Sequence, residues 1–371
     1  MRRWRSTMAA LLLALGGGAC VDDDIPPRPS VDAPADAGPA CSADDAGAAG
    51  GGGAGDDGGV VLLASASPCQ GLDLVVSGDT LYWTEEATGL VRSVPTSGGA
   101  PTTIASGQVA PGALAVDGTS IYWVSGDRYQ DIMKRSLACA APSVFVPSEM
   151  LPDPLGRENQ VNALLAANGW LYFSRYIYTY KVMTDGSGPP IPIGESPDSD
   201  RGSAGAFALS GTYLYQVELY HSAVSRERID GKQNGLLEDG LTKQPLAPDR
   251  IATSQQELVT DAIAVVDDHV GWAAADSLWR KPGNTLDKDP ANPPILIAQS
   301  SGGHDITGFA VSGTTVYFGE YSANTVQAVD FYGGAPRTVA TGQSAPGQFA
   351  VDDKNVYWRT IDCQIVKHAK P

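Results

Sequence analysis

Residues 81–123 read LYWTEEATGLVRSVPTSGGAPTTIASGQVAPGALAVDGTSIYW, beginning and ending on the same step, an aliphatic residue followed by Tyr and Trp. Setting the chain in register on that step gives LVVSGDTLYW, LAVDGTSIYW, LLAANGWLYF, FALSGTYLYQ, IAVVDDHVGW, FAVSGTTVYF and FAVDDKNVYW. Each segment is two apolar alternating runs around a short turn. Pairs such as Asp117 and Gly118, or Asn168 and Gly169, favour the positive φ angles of tight hairpins. The flanking runs are rich in Val, Ile, Tyr and Trp, which suit a pleated, half-buried surface.

The anchors fall at Tyr82, Tyr122, Tyr172, Tyr215, Gly271, Tyr317 and Tyr357, spaced by 40, 50, 43, 56, 46 and 40 residues. A self-similar period of about 40–50 residues with strand patterning marks a propeller blade of four strands. After each hairpin a third strand, such as GLVRSVPT or NTVQAVDF, leads through SGGAP or YGGAP to a fourth, TTIASG or RTVATG. The seventh unit has only three strands before the sequence stops. Its missing fourth appears at the front, where VVLLASASPCQG (60–71) reads like PTTIASGQVAPG (101–112). The expected fold is therefore all-β, a seven-bladed β-propeller closed by an N-terminal strand that completes the last blade. Such closure removes an edge that would otherwise invite aggregation. The periodic Tyr-aromatic step is expected to pack between neighbouring blades, the commonest use of a recurring aromatic.

At 371 residues, with 43 Gly and 26 Pro, the composition suits many short strands joined by turns. The net charge of −17 argues against a nucleic-acid partner, whose phosphates need a basic surface. That charge is unevenly spread: +3 over residues 1–19, −8 over 21–58 and −12 over 59–371. Three segments follow. Residues 1–19 have Arg2, Arg3 and Arg5 ahead of a short apolar run, the pattern of a signal peptide too short to span a bilayer as a helix. Residues 20–59 form an acidic Ala/Gly/Asp-rich linker with almost nothing able to bury apolar surface, expected to be disordered. Residues 60–371 hold the propeller. Small residues directly before Cys20 resemble the lipobox of bacterial lipoproteins, which implies lipidation at Cys20 and a place in the bacterial cell envelope. Val21 stands where some inner-membrane lipoproteins have a retaining Asp, which points to the outer membrane.

Setting Cys20 aside leaves Cys41, Cys69, Cys139 and Cys363, an even number in an oxidising compartment. Cys69 follows the closing strand, and Cys363 lies between the second and third strands of the last unit. In a propeller those two loop classes share a face, so a Cys69–Cys363 disulfide could staple the closure; the four could also remain thiols.

The repeated unit resembles the YWTD-repeat family of β-propellers, including its bacterial lipoprotein relatives, over residues 60–371. The shared order is the Tyr-Trp step, a basic residue in the third strand, a Gly turn, then LAVD opening the next blade. In two respects the chain departs from it. The family's Asp after Tyr-Trp-Thr is Glu85 here and is absent at Ser125, Arg175 and Thr360, and many such domains have six blades.

Two constellations are candidates for function. The loops between second and third strands carry Tyr129, Tyr176, Tyr178, Tyr220 and Tyr321, beside Arg128, Arg175 and His221. Tyr offers a rigid amphipathic surface for a partner protein or a sugar ring at low entropic cost, so these loops form the candidate binding face. At the starts of the innermost strands, Asp73, Asn162 and Asp261 approach the channel mouth from three blades, as oxygen ligands for a hard cation would. Gluconolactonase-like propellers use a similar arrangement of Glu, Asn and Asp. The four His residues show no metal-ligand spacing, and no Gly-x-Ser-x-Gly elbow or phosphate loop is present. The expected function is thus a lipid-anchored, extracytoplasmic, monomeric propeller, a non-catalytic module without cofactor that binds a protein or glycan of the envelope. It touches the membrane through its lipid anchor only. The alternative is a metal-dependent hydrolase or lyase of the gluconolactonase-like type, with Ca2+ or another divalent cation.

Overall fold

The structure is a computed structural model. It describes residues 59–371 apart from 66–72, 128, 139, 151–159, 176–177, 196–203, 219–222, 232–248, 254–257 and 288. The signal peptide, Cys20 and the linker lie outside the described residues, as do Cys69, Arg128, Tyr176, Tyr220 and His221.

Seven antiparallel sheets of four strands make up the fold. In the first blade the strands are Leu74–Ser77, Thr80–Glu85, Leu90–Pro95 and Thr102–Ala105, hydrogen-bonded in that order outward from the axis. The innermost strand of each blade touches the innermost strand of the next, and that of the seventh touches the first, so the sheets form a closed ring: a seven-bladed β-propeller. Among the described residues no α-helix occurs, and no helix there is long and apolar enough to cross a membrane. The first hairpins turn as the sequence requires. Asn168 (φ 53°) and Gly169 (φ 78°) both take the left-handed backbone that a tight hairpin turn needs at its two central positions.

Successive residues of a strand face opposite sides of its sheet, so one Tyr-Trp dipeptide serves two blade-to-blade seams. The Tyr packs forward and the following aromatic packs backward. Tyr82 of the first blade meets Trp123 of the second, Tyr122 meets Phe173 of the third, and Tyr215 of the fourth meets Trp272 of the fifth. Tyr317 meets Trp358, and Tyr357 of the seventh blade meets Trp83 of the first. All these rings are buried. Each contributes about 1.5–3 kcal/mol by leaving water, which makes the seams the core of the molecule.

Polar devices fix the same rings. The indole N–H of Trp83 donates to Glu85 at 2.8 Å, that of Trp123 to Gln108 at 2.9 Å and that of Trp358 to Gln343 at 3.2 Å. The hydroxyl of Tyr122 donates to Asp117 at 2.9 Å and that of Tyr357 to Asp352 at 2.6 Å. Burial raises the pKa of both phenols, and the adjacent carboxylates raise it further. Glu85 and Glu320, each at the end of its blade's second strand, lock neighbouring segments. Thr88 donates to Glu85, and Glu320 accepts from the Ser301 amide at 2.8 Å, tying the fifth-to-sixth connection to the sixth blade.

A cation opposite the Tyr in the third strand reaches the next blade. Lys134, Lys181, Arg226 and Lys367 donate to the carbonyls of Thr184, Ile229, Gly283 and Thr96, in each case the residue just after the next blade's third strand. Two seams break the aromatic rule and are compensated. Gly271 replaces Tyr in the fifth blade, and the ring of Phe331 from the sixth fills the space; a Cβ at 271 would lie 2.6 Å from its Cε2. Gln216 replaces the second aromatic in the fourth blade and joins Thr179, Ser225 and Glu227 in a buried hydrogen-bonded network.

The closing strand behaves as expected. Val60–Ser65 pairs antiparallel with Gln364–Ala369, from Val60 opposite His368 to Ser65 opposite Gln364, and completes the seventh sheet. Cys363, the residue before that last strand, is buried and disulfide-bonded.

Candidate functional site

Loops between second and third strands and loops between one blade and the next emerge on one face, where hydrogen bonds knit them into a rim. The Gln108 amide donates to Gly89 at 3.0 Å, Gly126 to Val109 at 2.7 Å, Gln343 to Asn324 at 2.8 Å and Ile361 to Ser344 at 2.8 Å. Two of the near-identical segments, SGQVAPG (106–112) and TGQSAPG (341–347), thus brace the rim beside the first and second blades and beside the sixth and seventh. Their glutamines are the ones that hold Trp123 and Trp358, so the rim is built on the rigid seams.

Tyr129 and Tyr321, expected on this face, are 51% and 40% exposed. Gly126 is what lets the Tyr129 loop fold back: its φ is 129°, and a Cβ there would sit 2.4 Å from the Tyr129 carbonyl oxygen. Tyr178 begins the third strand of its blade, half-buried, opposite Arg175 and 6.0 Å from the ring of Tyr180. Arg175 is not part of the exposed surface. It is 3% exposed, and its Nη2 donates to the Ser148 carbonyl at 2.8 Å. The end of a buried strand placed it inward, where the loop reading expected it outward. Sequence reading also passed over Val109 and Ile361, which are 54% and 43% exposed on the same rim. Both sit in connections between strands, outside the alternating runs, so no periodicity marks them.

Inside the rim, the starts of the innermost strands surround a cavity of about 350 Å³ at the mouth of the axial channel. Asp73 and Asn162 line it, as expected; Asp261 lies on the strand Leu258–Val266, and its side chain is outside the described residues. The Asp73 carboxylate is engaged. Its Oδ1 accepts the Leu74 amide at 2.9 Å, and its Oδ2 accepts the Leu114 amide of the next blade at 2.7 Å. This carboxylate ties two blades together. Among the described residues no three His, Cys, Asp or Glu side chains gather as a metal cluster. The mouth contains three further polar residues that the sequence did not mark, Thr84, Glu86 and Gln348. Deeper in, the channel is lined by apolar residues such as Ala264, Val265 and Phe309.

No protein-family model matches the chain, and no curated protein does. Solved structures do. Selenomethionine-substituted virginiamycin B lyase from Staphylococcus aureus is 12% identical, with a TM-score of 0.63 over 84% of this chain and 99% of that one. YCF48 bound to D1 peptide is 11% identical, with a TM-score of 0.58 over 84% of this chain and 94% of that one. BamB from Moraxella catarrhalis is 10% identical, with a TM-score of 0.52 over 86% of this chain and 94% of that one. All are β-propeller proteins, a lyase and a protein solved with a bound peptide among them; at such identities the likeness shows the fold alone.

Proposed function

We propose that this propeller is a non-catalytic protein-binding module, lipid-anchored through Cys20 on the outer membrane of a bacterial envelope and held at a distance by the acidic linker of residues 20–59. One observation carries the reading. The recurrent aromatics and carboxylates are consumed in the seams, whereas Val109, Tyr129, Tyr321 and Ile361 stand exposed on a single braced rim. Exposed apolar and aromatic side chains on a rigid frame lose little entropy when a partner covers them. A protein rather than a glycan partner is favoured by a structural neighbour solved with a peptide.

Site-specific photo-cross-linking tests this. A cross-linker at Tyr129 or Tyr321 captures an envelope protein in cells, while one at Asp353, on a hairpin turn of the opposite face, does not. Equal capture from both faces, or none from the rim, rejects the reading. The alternative, a metal-dependent hydrolase or lyase, is checked by elemental analysis with a melting curve in chelator. A tightly held divalent ion whose removal lowers Tm would restore it.

A further inference from the structure

Gln348 is the extra residue of a β-bulge at the start of the seventh blade's innermost strand, between Gly347 and Phe349. Its φ is 45°, a left-handed backbone that a residue other than Gly, Asn or Asp rarely adopts. Its amide oxygen Oε1 is buried with no hydrogen-bond partner. A strained backbone and an orphaned acceptor are both costly, and such costs gather where a ligand repays them. The chain contains its own control: PGQF (346–349) repeats PGAL (111–114), where the equivalent of Gln348 is Ala113.

The surroundings define the chemistry of that ligand. Glu86 presents an exposed carboxylate to the same cavity, and Asp73 adds a second negative charge. Among the described lining residues there is no Lys, Arg or His. The rings of Phe207 and Phe349 and the small side chains of Ala113 and Ala206 complete the wall. Acceptors, negative charge and aromatic rings with no competing cation suit an ammonium group, which has three donors, is attracted to ring faces and trails an apolar stem. A volume of about 350 Å³ is at the small end of ligand pockets, about 300–1,000 Å³, so it takes a side-chain-sized group.

We propose that the channel mouth receives a protonated alkyl amine, and that in the working protein this is a lysine side chain of the protein partner. The second half rests on the protein-binding reading above. A partner seated on the rim would cover the mouth and project one residue into it.

Saturation-transfer NMR on the full chain tests the first half with Nα-acetyl-lysine N-methylamide, its Nε-acetyl counterpart and n-pentylammonium. The blocked lysine and n-pentylammonium bind, and the acetylated form binds at least about ten-fold more weakly. Gln348→Gly suits the left-handed backbone, so the fold is preserved while the acceptor is lost, and Glu86→Gln removes an exposed charge. Each weakens amine binding about five-fold or more, and Asp353→Ala, on an exposed hairpin turn of the opposite face, leaves it unchanged. No amine binding, equal binding of the acetylated form, or an unaltered Gln348→Gly variant overturns the inference. If that happens while rim cross-links still form, the protein-binding reading survives alone. If amine binding holds, n-pentylammonium at saturation reduces the Tyr129 and Tyr321 cross-links when the amine belongs to the partner. Undiminished cross-links reject that source and leave a free amine.

Discussion

Lys367, in the last strand of the chain, donates its ammonium to the carbonyl of Thr96, 271 residues earlier. It is the closing member of a set in which Lys134, Lys181 and Arg226 do the same for their own neighbours. The acceptor residue is fixed in turn, because its amide donates back to a hairpin turn of its own blade, as Thr96 does to Asp79 at 2.8 Å. The cations thus couple one blade's third strand to the next blade's frame, where strand pairing cannot reach.

Removing the closing member should therefore cost more than a surface charge. Lys367→Met retains most of the stem and loses the charge-assisted bond, worth about 1.5–3 kcal/mol. Thermal melting should show Tm lower by several degrees. Lys354→Met, on an exposed turn of the same blade, should change stability by no more than about 0.5 kcal/mol. Equal effects of the two would show that the Thr96 contact contributes nothing.

The same seam contains the disulfide of Cys363. Ser65 pairs with Gln364, the residue after Cys363, and Cys69 follows Ser65 closely in sequence, so we propose Cys69 as the partner. Proteolysis without reductant should yield a linked Cys69–Cys363 peptide by mass spectrometry. A link to Cys41 or Cys139 would reject the pairing. A crosslink that spans almost 300 residues constrains the unfolded chain by several kcal/mol in the entropic account. Cys69→Ala should lower Tm accordingly.

Gly271 and Phe331 form a complementary pair. Phe331→Ala empties the space under a missing Tyr and should cost about 3–5 kcal/mol. Gly271→Ala alone should also destabilise, because its Cβ meets the Phe331 ring at 2.6 Å. Combined, the two substitutions should cost less than the sum of the singles, since the added methyl then enters a vacated space. Strict additivity in a double-mutant cycle would show that the pair is not coupled.

The ring and its closure could be read from the sequence because both are periodic. The Tyr-aromatic step recurs with strand spacing, and Val60–Ser65 copies a fourth strand. What periodicity does not carry is the partner across a seam. Nothing near Gly271 announces that Phe331, about 60 residues later, replaces its side chain. The same holds for the face. Arg175 and Tyr129 read alike as loop residues, yet one ends a buried strand and turns inward to Ser148 and the other reaches solvent. Gln348 was invisible for a further reason: its peculiarity is a backbone angle and an unmet acceptor, neither of which has a residue signature.

Between the third and fourth blades the seam is polar, and it should make stability depend on pH. Glu227 is fully buried, which pushes its pKa up to about 8 despite hydrogen bonds from Thr179 and Gln216, and the nearby Glu218 charge pushes the same way. Glu218 faces Arg250 at 3.6 Å. Because the folded pKa lies above the unfolded one, the neutral acid is the form the fold prefers. Its contribution is fully present below about pH 4.5 and is lost as pH rises toward about 8. The loss is on the order of 5 kcal/mol at pH 9. Glu227→Gln preserves the shape and removes the charge, so the variant should match the wild type at pH 4.5 and exceed it at pH 9. Urea unfolding at the two pH values is the measurement. A wild type and a variant whose stabilities run parallel across that interval would show that Glu227 does not titrate inside the seam.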